Sequence, residues 1–308
     1  MYRKFIVVLI SAFSVFFVSS PHILCTMKEK KNYSINIKGE LCDFSTPWVI
    51  GIVNATPDSF YPGSRVFRAD AIRERVRSMR VAGARGVDIG GYSTRPGASE
   101  VSADEEYRRL AMALQVVAEE WPEAVVSVDT FRADVARRCV EDWNVDTIND
   151  ISGGDMDSRM FETVADLGVS YVLMHTRGTP ATMQSLTDYR DVTAEVISDL
   201  AAKAARLNRL GVKDILIDPG FGFAKTVEQN YELMSRLDDF RDMGYPLYVG
   251  VSRKSMIFRL LDITPAESLN GTTVLNTFAL LHGADVLRVH DVEQAVQAVK
   301  ITQMLNRR

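Results

Sequence analysis

Polar side chains capable of chemistry recur where short apolar runs of this chain end. Asn54, Asp88, Asp129, Asn149, His175, Asp218, Arg288 and His290 each close or follow such a run, and Thr94 and Lys254 stand in the loops beyond two others. In Ile215-Leu216-Ile217-Asp218-Pro219-Gly220, three β-favouring residues lead into a carboxylate and then a turn. Pro219 lacks a backbone donor, so the strand stops there and Asp218 sits at its C-terminal mouth. Arg288 and His290 are two apart, which on a strand points both to one side while Val289 points to the other. That spacing suits a paired anion clamp, with Ser252 and Arg253 from the preceding unit as neighbours, and Arg can hold phosphate in a bidentate fork. Asp129, Asn149 and Asp218 supply carboxylate and amide acceptors, the natural readers of a guanidine-like edge such as that of a pterin or guanine. Each residue alone admits a structural role: Asp88 can hold the glycine loop beside it, His175 can pack, Asn149 can make a turn and Lys254 can be solvated. Together they imply a ligand, because burying so many polar groups without one costs stability. The types and spacing point to a flat nitrogen heterocycle bound at one end and a phosphorylated arm at the other.

The elements that must position these groups alternate in type. Ser34 to Phe44 alternates around a glycine and predicts a small hairpin covering the bottom of the larger fold. Buried strands are expected at 48–53, 86–89, 125–129, 147–150, 170–175, 215–218, 247–251 and 286–290. Helices are expected near 69–82, 132–141, 159–167, 192–210, 271–282 and 292–305. Ser102 with Glu105, and Thr226 with Gln229, predict capping boxes opening two more helices. The second of these carries an apolar face through Val227, Tyr231, Met234, Leu237 and Phe240. Eight strand-then-helix units without a long interruption predict an α/β fold, a (β/α)8 TIM barrel with a short N-terminal β-hairpin. No Gly-x-Gly-x-x-Gly follows an early strand, which disfavours a dinucleotide-binding sheet.

Composition agrees with one such domain. The chain has 308 residues, 46% hydrophobic and 25% charged, with 36 basic against 40 acidic residues and a formal net charge of -4. No basic excess points to a nucleic-acid partner. Cys25, Cys42 and Cys139 are odd in number and show no CxxC spacing, which argues against a disulfide framework and fits a reducing compartment. Arg3-Lys4 followed by an apolar run from Phe5 to Val18 has the layout of a secretory signal and is short for a membrane span. Met27-Lys28-Glu29-Lys30-Lys31, in contrast, reads as a cytosolic start. The expectation is that residues 1–26 are a mis-called extension, that 27–308 form the domain, and that the protein is cytoplasmic with no stable membrane association; an exported form is the alternative.

Asn54-Ala-Thr-Pro-Asp-Ser-Phe60, Asp88-Ile-Gly-Gly-Tyr-Ser-Thr-Arg-Pro-Gly97, Ser127-Val-Asp-Thr130, Asn149-Asp-Ile151, Asp218-Pro-Gly-Phe-Gly-Phe223, Ser252-Arg-Lys-Ser255 and Arg288-Val-His-Asp291 together resemble the signature set of the dihydropteroate synthase family. The resemblance implies a Mg2+-assisted condensation of 6-hydroxymethyl-7,8-dihydropterin diphosphate with 4-aminobenzoate. By matching positions, Asp129, Asn149, Asp218 and Lys254 would hold the pterin, with Met174 packing near its ring. Asn54, Arg288 and His290 would hold the diphosphate, Asn54 also touching Mg2+. Thr94, Arg95, Pro96, Phe223 and Ser255 would frame the aminobenzoate, and Gly222 would also be a substrate-binding residue. The family also implies a homodimer built on late helices, and the apolar run 273–281 is compatible with that. Tyr92 stands where a Glu is frequent in the family, Tyr61-Pro62-Gly63 replaces Ser-Asp-Gly, Thr176-Arg177 replaces Met-Gln, and Ala224 replaces a Gly. These departures bear on loop closure more than on the reaction. Two rival readings remain open: a methyltetrahydrofolate:corrinoid methyltransferase, which would not need the diphosphate clamp, and an exported pterin-binding protein without turnover.

Overall fold

Lys38 and Gly39 both take positive φ, 53° and 88°, and the Asn36 side chain accepts a hydrogen bond from the Gly39 amide at 2.8 Å. This tight turn joins β1 (Ser34–Ile37) to β2 (Glu40–Asp43) as an antiparallel pair in which Ile37 faces Glu40. The molecule is described as a computed structural model over residues 32–56, 65–92 and 100–305. The expected extension over 1–26 and the start at Met27 lie outside the described residues.

Eight parallel strands come next: β3 (Trp48–Asn54), β4 (Gly86–Gly90), β5 (Val125–Asp129), β6 (Thr147–Asp150), β7 (Ser170–Met174), β8 (Ile215–Asp218), β9 (Tyr248–Val249) and β10 (Val286–Val289). The ladder runs from β8 back through β3 to β10 and β9. One further bridge, Ile217 to Leu247, brings its two ends together, with the Ile217 amide donating to the Pro246 carbonyl at 2.9 Å. The strands thus form the expected (β/α)8 barrel. Around it lie α1 (Arg65–Ala82), α2 (Ala103–Glu120), α3 (Ala133–Trp143), α4 (Met160–Leu167), α5 (Val192–Leu210), α6 (Val227–Ser235), α7 (Ser255–Leu260), α8 (Leu269–Leu281) and α9 (Val292–Leu305).

The period of two along each strand divides the side chains between helices and barrel interior. Val49, Val53, Val87, Ile89, Val128, Ile148, Leu173, Ile217, Leu287 and Val289 join the outer apolar core beneath the helices. The alternate positions face inward. Near the strand N-termini those inward residues are Trp48, Ile50, Val125, Val172, Leu216, Tyr248 and Val286, in one apolar cluster with Ile35, Ile37 and Phe44 of the hairpin segment. The hairpin therefore covers the barrel floor, as its alternation predicts. Toward the C-terminal ends the inward positions turn polar, which sets the place of the site.

Several boundaries differ from the sequence reading, for local physical reasons. Strand β9 has two residues where 247–251 was expected, because the chain leaves the ladder at Gly250 to form the turn in which the Lys254 amide donates to the Val251 carbonyl and Arg253 takes φ 55°. The helix expected to run through Phe240 ends at Ser235 and gives way to a 3-10 turn, Leu237–Met243. Leu237 and Phe240 stay buried there, since a spacing of three aligns side chains in a 3-10 turn as well as on a helix face. The Thr226–Gln229 box forms in both directions. The Ser102 box is half made: Ser102 accepts from the Glu105 amide, while the Glu105 carboxylate turns to Arg109 at 2.8 Å. Helix α7 was not foreseen.

Candidate active site

At the C-terminal end of the barrel the inward side chains form one hydrogen-bonded layer. Asp88, fully buried in β4, accepts from Ser127 Oγ at 2.6 Å, from Asn149 Nδ2 at 3.1 Å and from Arg288 Nε. These partners come from β5, β6 and β10, so one carboxylate ties three strands together across the barrel. Arg288 also donates through Nη2 to Asp129 Oδ2 at 2.7 Å. Its guanidinium is thus a bridge between Asp88 and Asp129. The two carboxylates hold its proton more tightly than usual in spite of burial. Burial is the main influence pushing the Asp129 carboxyl upward, with Arg288 opposing and the Asp88, Glu106 and Asp150 charges adding to the rise. Arg288 Nη1 makes no hydrogen bond to another described residue.

Above this layer opens a cavity of about 250 Å³. On one side stand Asp129, Asn149, Asp218 and Lys254. Burial raises the Asp218 carboxyl; Lys254 and the Gly220 amide, which donates to Asp218 Oδ1 at 2.8 Å, work against the rise. Burial likewise lowers the Lys254 ammonium to about 8, with Asp218 pulling it back up. Lys254 Nζ donates to the Phe221 carbonyl and lies 4.8 Å over the Phe223 ring. Asn149 Oδ1 is buried with no hydrogen-bond partner, an acceptor free for a ligand N–H. Tyr92, Ile151, Met174 and Phe223 give the cavity an apolar wall, with Phe131 packed in the same cluster.

On the other side stand Asn54 and His290. Ser252 Oγ accepts from the His290 amide at 3.1 Å and lies 3.0 Å from His290 Nδ1. With the hydroxyl donating to Nδ1, the ring proton stands on Nε2. Burial, reinforced by Arg288, lowers the imidazole to about 4, so His290 is neutral near pH 7 and acts as an N–H donor. Asn54 ends β3 half-buried, and its amide bonds to no other described residue.

Eleven of the residues singled out from sequence as binding groups line this one cavity: Asn54, Asp129, Asn149, Met174, Asp218, Phe223, Ser252, Arg253, Lys254, Arg288 and His290. Gly222 and Ser255 do not. Gly222, at φ 81°, donates its amide to Asn230 Oδ1, and a Cβ there would come within 3.3 Å of Lys254 Cδ. Ser255 is the first residue of α7. Thr94, Arg95 and Pro96 lie outside the described residues.

Two readings need correction. Arg253 was placed with the anion clamp, but its guanidinium is bidentate to Asp291, at 2.9 Å twice, and its Nη1 donates to the Pro265 and Ala266 carbonyls. It lines the cavity but braces the turn, with four of its five N–H groups committed. His175 faces away from the cavity and is buried against Lys225, whose Nζ lies 3.1 Å from its Nδ1 and donates to the Gly220 and Phe223 carbonyls. Burial and the Lys225 charge drive the His175 imidazole down to about 2, so it is a neutral packing residue. Lys225, unassigned from sequence, anchors the loop that carries Asp218 and Phe223. Ile52 and Gly250 are lining residues that the sequence could have shown, each sitting two positions from a polar residue named there.

The match to the pterin-binding enzyme family spans residues 50–290. The dihydropteroate synthase of Escherichia coli K12 is 40% identical over 269 residues, covering 86% of this chain and 94% of that protein. A Xanthomonas albilineans dihydropteroate synthase solved with 4-aminobenzoic acid superposes with a TM-score of 0.82 at 34% identity, covering 90% of this chain and all of that one. A Clostridium difficile dihydropteroate synthase solved in the presence of pteroic acid gives a TM-score of 0.79 at 34% identity, covering 86% and 98%. The chain belongs to the pterin-binding enzyme family, among the dihydropteroate synthases. A dihydropteroate synthase is a transferase of folate biosynthesis, and the cavity at the barrel mouth is the place in this chain where the strand-end polar groups meet.

The Arg288 bridge sets an expectation for stability. Arg288→Ala leaves Asp88 buried without its counter-charge and is expected to cost about 3–5 kcal/mol in urea unfolding, whereas Arg288→Lys retains a charge and costs less. A loss below about 1 kcal/mol for the alanine variant would show that the bridge does not support the fold.

Proposed function

We propose that this chain joins 6-hydroxymethyl-7,8-dihydropterin diphosphate to 4-aminobenzoate, giving 7,8-dihydropteroate and diphosphate. The observation that carries the reading is one cavity with acceptors for a nitrogen heterocycle on one side, Asp218, Asn149 and Asp129, and donors for an anion on the other, Arg288 Nη1 and His290 Nε2. The pterin ring lies against Met174, with Asp218 and Asn149 Oδ1 taking its N–H groups and the Lys254 ammonium donating to a ring acceptor. The synthases solved with pteroic acid and with 4-aminobenzoic acid support both halves of this assignment.

The chemistry follows from that division. The bond from the pterin methylene carbon to the diphosphate oxygen breaks with its electron pair going to diphosphate, and the electron-rich pterin delocalises the cation left behind. The arylamine nitrogen forms the new bond to that carbon and then releases a proton to solvent. A neutral arylamine is nucleophilic, so no strong base is required. The protein's part is to neutralise the departing charge through Arg288 and His290, and to keep competing water away with Phe223 and the apolar wall. Thr94, Arg95, Pro96 and Ser255 complete the aminobenzoate side, and Gly222 leaves room beside Lys254.

Asn54 fits a Mg2+ site of the kind this chemistry uses. Among the described residues there is no cluster of three or more His, Cys, Asp or Glu groups to cage a metal. Mg2+ commonly takes only one or two protein groups, keeping water and substrate phosphate oxygens for the rest. The uncommitted Asn54 amide oxygen at the anion side meets that demand, and bound Mg2+ would add positive charge to the leaving group.

No helix among the described residues is long and apolar enough to cross a membrane; the cytoplasmic reading rests on the start-like sequence at Met27. The exposed apolar side chains of α8 and α9, Val274 at 58%, Ile301 at 61% and Met304 at 64%, favour a homodimer through those helices. Sedimentation equilibrium is expected to give twice the chain mass, with Ile301→Asp shifting the equilibrium toward monomer; a wild-type monomer at tens of micromolar would overturn the dimer.

Two measurements test the reaction. With both substrates and Mg2+ present, diphosphate release is expected, and chelation of Mg2+ is expected to slow it at least tenfold; pterin binding without release would instead mark a non-catalytic binding protein. Affinity for 6-hydroxymethylpterin is expected to hold below pH 8 and fall above it, because the Lys254 ammonium is present below about 8 and lost above. Titration calorimetry between pH 6.5 and 9.5 checks this, and a flat profile would remove Lys254 from the ring site.

A further inference from the structure

The charges bordering the cavity do not balance in favour of a diphosphate. Arg288 and Lys254, the cavity's two inner cations, already stand against Asp129 and Asp218, which line it, and Asp88 just beneath. Arg288 is already shared between two of those carboxylates, Arg253 is neutralised by Asp291, and His290 is uncharged near pH 7. A diphosphate group, trianionic as the ester and gaining one more negative charge as the carbon–oxygen bond breaks, needs positive charge that this inner set does not supply.

A second cavity of about 280 Å³ adjoins the first, sharing Ile52, Asn54 and His290 with it, and is closed on its far side by Ala71, Ile72 and Arg75 of α1. Arg75 is partly buried, and one of its Nη groups donates to the His290 carbonyl. Among the described residues it makes no ion pair: the nearest carboxylate that attracts it, Asp291, gives both oxygens to Arg253. It is a partly desolvated guanidinium with spare donors, facing a space bounded by the two residues assigned to the anion side. Burial and Arg253 both disfavour its charge and Asp291 alone supports it, so an anion there would relieve the imbalance.

Resting on the function proposed above, we infer that Arg75 forms an outer anion subsite that receives the diphosphate on the α1 side of the cavity. The methylene-linked phosphoryl group meets Arg288 Nη1 and His290 Nε2, and the terminal group reaches past Asn54 toward Arg75. After the carbon–oxygen bond breaks, diphosphate leaves through this second cavity, between β3, β10 and α1. The arylamine approaches on the opposite side, beside Phe223, so the two do not share a path.

Titration of the full-length chain with inorganic diphosphate in Mg2+ buffer, alongside 6-hydroxymethylpterin, tests this. Arg75→Gln is expected to weaken diphosphate binding about tenfold, the size of one lost charge-assisted contact, and to leave 6-hydroxymethylpterin affinity within twofold of wild type. Arg75→Lys is expected to fall between. In turnover assays the Gln variant should raise the KM for the pterin diphosphate and weaken product inhibition by diphosphate, with the KM for 4-aminobenzoate unchanged. Wild-type diphosphate affinity in Arg75→Gln, or an equal loss for both ligands, would overturn the subsite. Absence of turnover in the wild type would instead overturn the proposed reaction, and the diphosphate titration would still decide the role of Arg75.

Discussion

The bridge from Asp88 through Arg288 to Asp129 is the interaction on which the rest of the site depends. A barrel interior is a poor place for charge, since desolvation there costs several kcal/mol per ion unless geometry and hydrogen bonds compensate. Here compensation is complete around Asp88, which collects Ser127, Asn149 and Arg288 from three strands. The same contacts fix the Asn149 amide so that its Oδ1 is left unpaired. They also hold Arg288 so that two of its nitrogens are committed and one remains for a ligand. Binding groups thus owe their orientation to a buried ionic layer whose anchor, Asp88, does not itself line the cavity.

That layer divides the barrel along its axis. Below it the inward residues are apolar and the hairpin closes the end; above it they are polar and face solvent through the loops. Since strand residues alternate between interior and helices, a change from apolar to polar every second residue is enough to place a site at one end only. The side-to-side division of the cavity has another origin. Acceptors gather on β5, β6 and β8 while donors to an anion come from β10 and the neutral, Ser252-oriented His290. A heterocycle and its charged substituent are oriented by that asymmetry.

The loop after β8 shows how a buried network outside the cavity supports it. Lys225 donates to two loop carbonyls and lies beside His175, while Asn230 holds Gly222. A Cβ at Gly220 would lie 1.9 Å from the His175 carbonyl, so the loop closes only with glycine there. With Ala224 also at positive φ, 50°, the turn is held in conformations that an unsupported chain would leave. Asp218 and Phe223 inherit their positions from these contacts.

The barrel was legible in the chain because strand burial and helix amphipathicity are written in local periodicities of two and about 3.6, and Asn54, Asp218, Arg288 and His290 could be placed at strand mouths by counting from them. The Asp218-Pro219-Gly220 stop and the Thr226–Gln229 cap are likewise decided within a few residues. What periodicity could not decide was pairing between distant residues. That Arg253 spends its donors on Asp291, 38 positions away, and that Arg288 joins Asp88 to Asp129 across 200 and 159 positions, depends on how strands and turns meet in space. His175 and Lys254 come after similar apolar runs, yet one turns into the core and the other into the cavity, because register and turn geometry set the direction of each side chain. The local sequence determined which residues stand at the rim; only the closed barrel determined which of their charges remain free to act.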